Sequence, residues 1–457
     1  MKTRLMLITL FFSIVSAPIF CQEKSLYAPE QEIVKILENL GEGEAVFLPN
    51  AKHKLNGSDI KAEGYLSSPY ARDYTTKMVY APERQTALYC GGNHGKGRTN
   101  DVWEYHLASN TWHCLFEADG GDHANHKATL MFLPNKFVKD PNYQMDEKET
   151  ELFALAKEWW LKNVDFKDGH YLTKRGGTLL HGHTWDTLVY DESIKKLIQG
   201  NGAHCAQSPW LQHKFTGMPM EEVQQKLGRN PNGVPYKTMW LFDPEEKKWI
   251  HYASHDALAE LRGMGASLCY LPDLKKTVCY VSAQNVAPNA FHMRLYDGVA
   301  DKWEELKPNG GQSISTLSIK LKVAPGSETQ LRYSPKHKKI VAVLTTNTFC
   351  YDVVKNEWSL LNSNIPFKAD DANTIFEYDS TNDVFLLVDC RALKIASFDL
   401  KTNEWKTIEA KGAQLKKPPY CVGKGYYDPT YNVLVVQSAY TPYMWVYRHG
   451  KPERKQE

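Results

Sequence analysis

Net charge is almost absent from this chain: 55 lysines and arginines stand against 53 aspartates and glutamates in 457 residues, leaving +2. The basic residues are scattered among the acids, so no electrostatic footprint for nucleic acid exists. Long apolar runs are absent after the first 21 residues, and no later stretch reaches 18, which excludes a membrane-spanning helix by sequence. The glycine-rich segment GGNHGKGRTND at 91 to 101 lacks the GK[ST] ending of a phosphate loop and reads as a turn between strands. The cysteines follow no compact finger spacing. Most sit inside apolar runs, such as Cys269 in ASLCYL and Cys279 in TVCYV, where a buried thiol acts as a small hydrophobe. A chain this large needs no disulfide framework.

What the chain does have is aromatic side chains at 12%, arranged in a repeat. Tyr105/Trp112, Phe242/Trp249, Tyr296/Trp303, Tyr351/Trp358 and Phe398/Trp405 are each seven apart, and Asp follows the aromatic in the last four pairs. Each pair reads as a strand, a polar turn and a second strand. Successive tryptophans recur at close to the roughly 50 residues of a kelch-type four-stranded blade, so the expected fold is an all-β, kelch-like β-propeller. Blades are legible from about 70 to 112, 177 to 249, 262 to 303, 330 to 358, 373 to 405 and 425 to 448. The expected total is seven. The last legible blade lacks a fourth strand, which EAVFLPN at 44 to 50 can supply. Residues 1 to 21 carry Lys2 and Arg4 ahead of an apolar stretch and read as a secretory signal, so the expected location is periplasmic or secreted. Residues 22 to 63 then hold a short helix and the closing strand, and 64 to 457 the propeller. An insertion at 113 to 177 breaks the period. Its KETELFALAKEWWLKN reads as a helix with Leu152, Phe153, Ala156, Trp159 and Trp160 on one face, packed on the ring.

The chemistry-bearing residues concentrate in the second and third blades. HGHTWDTLVYD places His181 and His183 at the start of one strand, and KLIQGNGAHC places His204 at the end of the next. Adjacent antiparallel strands bring such positions together. The third blade opens with Arg262, carries Tyr280 in its second strand and Arg294 at the start of its third. Imidazoles, a phenol and a guanidinium suit proton abstraction beside a carboxylate, which needs a base, an acid and a cation that neutralises the carboxylate. His94 holds the place in its blade that His204 holds in the next and is a candidate substrate contact, with Arg262 and His181. His123, His126, Cys205 and His213 form a mixed nitrogen and sulfur set suited to a structural zinc.

With those residues in hand, the chain resembles the β-propeller ulvan lyases, which cleave beside glucuronate or iduronate in a sulfated algal polysaccharide. Their pattern is a His, a second His about 20 residues on, a later Tyr and an Arg about 15 beyond it. His183, His204, Tyr280 and Arg294 match it in order. The resemblance implies a carbon–oxygen lyase acting by β-elimination, with His183 or His204 taking the C5 proton, Tyr280 assisting the departing O4 and Arg294 holding the carboxylate. It implies no required cofactor and an anionic poly- or oligosaccharide as partner of a monomeric protein. An internal uronate makes the enzyme a polysaccharide lyase. A uronate at the non-reducing end makes it a dehydratase that expels water. The rival readings are a glycoside hydrolase using Asp101 and Asp186, and a non-catalytic carbohydrate-binding propeller.

Overall fold

The computed structural model describes residues 26–60, 69–70, 72, 74–91, 100–119, 133, 135–137, 139–140, 142–167, 170–177, 184–200, 209–226, 239–250, 266–280, 293–311, 314–322, 329–362, 364–369, 374–416, 423–438 and 442–450. Six sheets stand around a central channel, each built on four antiparallel strands, two of them extended by edge strands to five and six. Their innermost strands are Val79–Ala81, Leu188–Asp191, Ser267–Leu271, Gln330–Ser334, Thr374–Asp379 and Gly423–Asp428, defining blades one to six. Each innermost strand touches the next, and the sixth returns to the first. There Met78 N donates to Gly425 O at 3.0 Å and Gly425 N to Thr76 O at 3.0 Å. The ring is therefore six-bladed, and the expected count of seven is corrected: contact between blades six and one leaves no gap for another sheet. Strand Glu44–Asn50 pairs with Tyr443–Tyr447 as the fourth strand of blade six, so the two ends of the propeller share one sheet. No helix among the described residues is long and apolar enough to cross a membrane.

The aromatic repeat has a local cause. Every aromatic and its tryptophan are directly paired across a hairpin, with ring centroids 4.7 to 5.3 Å apart. The turn residue two before the tryptophan takes positive φ: Asn110, Lys247, Asp301, Asn356 and Asn403. The aspartate after the aromatic folds the turn through an Asx contact. Asp243 Oδ1 accepts from Glu245 N and Glu246 N, both at 3.0 Å, and Asp352 Oδ1 from Val354 N and Lys355 N.

A second repeat runs around the ring. Each innermost strand carries a tyrosine: Tyr80, Tyr190, Tyr270, Tyr333, Tyr378 and Tyr427. Five residues on, Gln85, Lys195, Lys275, Lys338, Asp383 and Asn432 all take positive φ, so the six inner hairpins share one register. In four blades the phenol bonds the residue three beyond the equivalent tyrosine of the preceding blade. Tyr80 meets Thr430 at 2.6 Å, Tyr190 donates to Glu83, and Tyr333 donates to Asp273 and Tyr427 to Thr381, both at 2.8 Å. In blade five the equivalent residue is Lys336, which offers no acceptor, and Tyr378 takes a bond from Ser334 Oγ at 3.0 Å.

The insertions depart from expectation. Strand Thr111–Phe116 runs through the expected boundary at 113, so the first insertion begins after Phe116. Its helix α2 (Glu147–Asn163; α1 is Gln31–Asn39) is fixed by a capping box between Asp146 and Glu149. The expected docking of α2 on the ring is corrected: its apolar face meets a second insertion, after Gly200, that sequence reading took as part of a blade. That segment forms α3 (Pro209–Thr216) and α4 (Met220–Lys226). Phe153 and Trp160 pack on Phe215 of α3, with centroids 5.2 and 5.7 Å apart, and Trp159 and Trp160 cover Val223 of α4. Leu133 of the first insertion is also helical and is buried in this cluster.

Two predictions follow from these contacts. Tyr333→Phe removes one inter-blade bond and is expected to lower stability by about 1 kcal/mol. A double-mutant cycle with Asp273→Ala should recover most of that as coupling; zero coupling shows the bond to be dispensable. Burial also lowers His53, His106 and His113 to about 4. The unfolded chain takes up those protons near pH 6.5, so stability is expected to fall as pH drops from about 6.5 to about 4. Thermal unfolding across that window checks this, and His113→Gln should flatten part of the slope.

Candidate functional site

Antiparallel order gives the ring two mouths. One holds the tight hairpins; the other, the loop mouth, holds the longer connections. His94, His181, His183, His204 and Arg262 all fall on loop-mouth connections and lie outside the described residues. The strand ends that carry three of those loops are described, and they meet at one corner. Thr187 binds the two ends of its hairpin together: Thr187 N donates to Thr184 O at 2.7 Å, and Gly200 N to Thr187 O at 2.8 Å. The Thr187 hydroxyl contacts both carbonyls, Thr184 O at 2.6 Å and Gly200 O at 3.1 Å. Gly91, where the loop bearing His94 begins, has φ +125°, and a Cβ there would come within 2.6 Å of the Thr75 side chain and 3.1 Å of Thr184. The loops carrying His94, His183 and His204 therefore leave from Gly91, Thr184 and Gly200, which touch or bond through Thr187.

This corner also stores backbone strain. Tyr74 and Trp185 take φ of 52° and 44°, and Trp185 N donates to Tyr74 O at 2.8 Å. Bulky residues in the left-handed region persist only where their surroundings force them, and such strain gathers at ligand-handling sites. Arg72 braces the same place, bonding Gly91 O and the Asp101 carboxylate, which also accepts from Trp103 Nε1 at 2.7 Å.

The third blade lies alongside. Asp186 and Ser267 form a parallel bridge, and Ser267 pairs with Tyr280. Tyr280 is only 1% exposed and packs on Trp358 of blade four, centroids 6.0 Å apart. Arg294 is half-buried and pairs with Cys279, one residue from Tyr280. Because successive strand residues alternate faces, Tyr280 and Arg294 project from opposite faces of their sheet. Adjacent strands bring the two backbones together and the pleat parts their side chains.

Both carboxylates weighed for a hydrolase are fully buried and engaged. Asp101 is held by Arg72 and Trp103. Asp186 accepts from Ser267 Oγ, from Leu331 N at 3.2 Å and from Arg332 at 2.8 Å, with Lys77 Nζ at 3.6 Å. Neither is open to a scissile bond, which removes the residues on which that reading rested. Sequence reading missed this belt of charge in the channel, because Lys77, Arg332 and Glu377 carry no motif.

Of the four candidate zinc ligands, His123, His126 and Cys205 lie outside the described residues. His213 stands on α3 with Nδ1 2.6 Å from Met218 O, which leaves Nε2 for another partner. Among the described residues no group of three or more His, Cys, Asp or Glu is arranged to hold a metal ion.

Both helical insertions rise from the loop mouth beside the strained corner, one between blades one and two and the other within blade two. Asp119 ties the first of them to blade one. It accepts from Asn100 Nδ2 at 2.9 Å, Thr173 Oγ1 at 2.5 Å and Arg175 at 2.8 Å, while its carbonyl accepts from Trp159 Nε1 of α2 at 3.1 Å.

No protein-family model matches this chain, and no curated protein does. Among solved structures it is similar to one titled "Structure of Dos1 propeller", at 10% identity and a TM-score of 0.35, over 82% of this chain and 68% of that one. The strand order itself defines the class: an all-β, six-bladed propeller carrying a helical cap at its loop mouth.

Gly91→Ala is expected to destabilise the protein by about 1–3 kcal/mol through its positive φ and the clash with Thr75. Circular dichroism on heating checks it, and an unchanged melting temperature would show the corner to be free to relax.

Proposed function

We propose that this kelch-like propeller is an exported, monomeric carbon–oxygen lyase that removes a group from C4 of a glucuronate or iduronate in ulvan-derived saccharides. The convergence of three histidine-bearing loops on the corner of Gly91, Thr184 and Gly200 carries the reading. In the reaction, His183 or His204 takes the C5 proton and the electron pair of that C–H bond forms the C4–C5 double bond. The C4–O bond breaks and its oxygen leaves with a proton. Arg294, from the neighbouring blade, binds the carboxylate and neutralises the charge that develops as C5 loses its proton. His94, His181 and Arg262 contact the saccharide. Tyr280 is assigned the departing oxygen, although its burial against Trp358 demands that substrate binding open a path to the phenol.

The helical cap favours the dehydratase form. On this reading the two insertions, bound to each other beside the histidine corner, stand in the way of a continuous polymer, and a uronate at the non-reducing end loses its 4-hydroxyl as water. A zinc on His123, His126, Cys205 and His213 would brace this cap and supply no step, in keeping with the fixed Nδ1 of His213.

The expected result is ultraviolet absorbance from an unsaturated uronate on ulvan oligosaccharides, with mass spectrometry showing loss of one water and unchanged chain length. Two shorter fragments would make the enzyme an internal lyase. No unsaturated product from any uronate would leave the binding-module reading. Arg294→Lys keeps the charge but loses the planar fork, and should lower kcat/KM by orders of magnitude in a folded protein. Tyr280→Phe should lower kcat comparably if the phenol acts as the acid; a change of only about 1 kcal/mol in stability would make it a core residue.

A further inference from the structure

The opposite mouth of the ring, where the tight hairpins lie, holds a cavity of about 270 Å3 bounded by all six inner-strand tyrosines together with Lys77, Arg332 and Glu377. We propose that this cavity binds a small organic cation, of the quaternary ammonium or alkylamine class, at Glu377. The inference is independent of the reaction at the loop mouth.

Glu377 Oε1 accepts both of its bonds from Arg332, at 3.0 and 2.7 Å. Glu377 Oε2 accepts none among the described residues, and the side chain keeps 12% exposure. A carboxylate oxygen held in a partly dry cavity without a donor favours a positive partner. The surrounding charges do not oppose one. Arg332 and Lys77 are offset by Asp186, 2.8 and 3.6 Å away, and by Glu377 itself. Exposed Glu192 adds a further negative charge among the lining residues. Desolvation raises the Glu377 pKa, a cost that a bound cation relieves.

The walls suit the same ligand. Five of the six inner-strand phenolic oxygens are bonded across a blade boundary, so the rings offer the cavity mainly carbon, with Val79, Val189 and Leu331 between them. Aromatic surface around a carboxylate attracts a cation with apolar substituents and discriminates against a hydrated inorganic ion. The volume lies below the roughly 300–1,000 Å3 of sites for drug-sized molecules, which limits the occupant to a small one.

The test is calorimetric titration of the full chain with choline, and with its neutral tert-butyl analogue in which carbon replaces nitrogen. Saturable choline binding is expected, at least tenfold tighter than the analogue. Glu377→Gln should weaken it at least tenfold. Because that change deprives Arg332 of its partner, Ser380→Trp provides a second probe: Ser380 is an exposed lining residue whose enlargement closes the rim, and choline binding should be lost with the fold intact by circular dichroism. Absence of saturable choline binding overturns the proposal. So does equal binding of the neutral analogue, or unchanged binding in folded Ser380→Trp.

Discussion

Asp186 is the residue through which the ring is tied together across its axis. It stands before the inner strand of blade two, fully buried, and reaches Lys77 of blade one, Ser267 of blade three and Arg332 of blade four; Arg332 passes the contact on to Glu377 of blade five. Removing one member of such a buried set leaves charges unpaired at a cost of about 3–5 kcal/mol, which makes the belt a constraint on everything around it. The inner strands must hold their spacing for these side chains to meet, and the mouths of the channel inherit that spacing.

The tyrosine bonds act between neighbouring blades. Four run from a phenol to the turn of the preceding blade and a fifth joins Ser334 to Tyr378, so neighbouring hairpins position one another and the sheets are keyed in rotation as well as in spacing. Hydrophobic contact between blades is strong but weakly directional. At about 1 kcal/mol each, the phenol bonds add little beside the buried aromatic area, and their contribution is registry.

That rigid frame explains why strain can collect at one place. Tyr74, Gly91 and Trp185 adopt conformations that the blades enforce, and the three loops leaving this corner carry four histidines, His94, His181, His183 and His204. The two insertions are built differently from the ring. Their helices bury their apolar faces on each other and meet blade one through the polar hub at Asp119, which makes the cap a separate packing unit.

Much of this was legible in the sequence because it is local. Tyr351 and Trp358 must pair once Asp352 and Asn356 form the turn between them, and five such hairpins declare a propeller. The number of blades was not legible, since a long interruption after Phe116 can hold a sheet or a helix, and only contact between Met78 and Gly425 decides that the ring closes at six. The partner of α2 was likewise hidden: an apolar face at helical spacing shows that something covers it, while Phe215 and Val223 lie more than fifty residues away along the chain. For the candidate site, strand order brought His183 and His204 together on sequence grounds, and the structure adds the base of the His94 loop through the approach of Gly91 to Thr184. The pleat then parted Tyr280 from Arg294, and burial withdrew Asp101 and Asp186 into the frame. Residue type and spacing determine which groups are available, and the tertiary structure decides which face each one meets, because burial and pairing depend on strands distant in sequence.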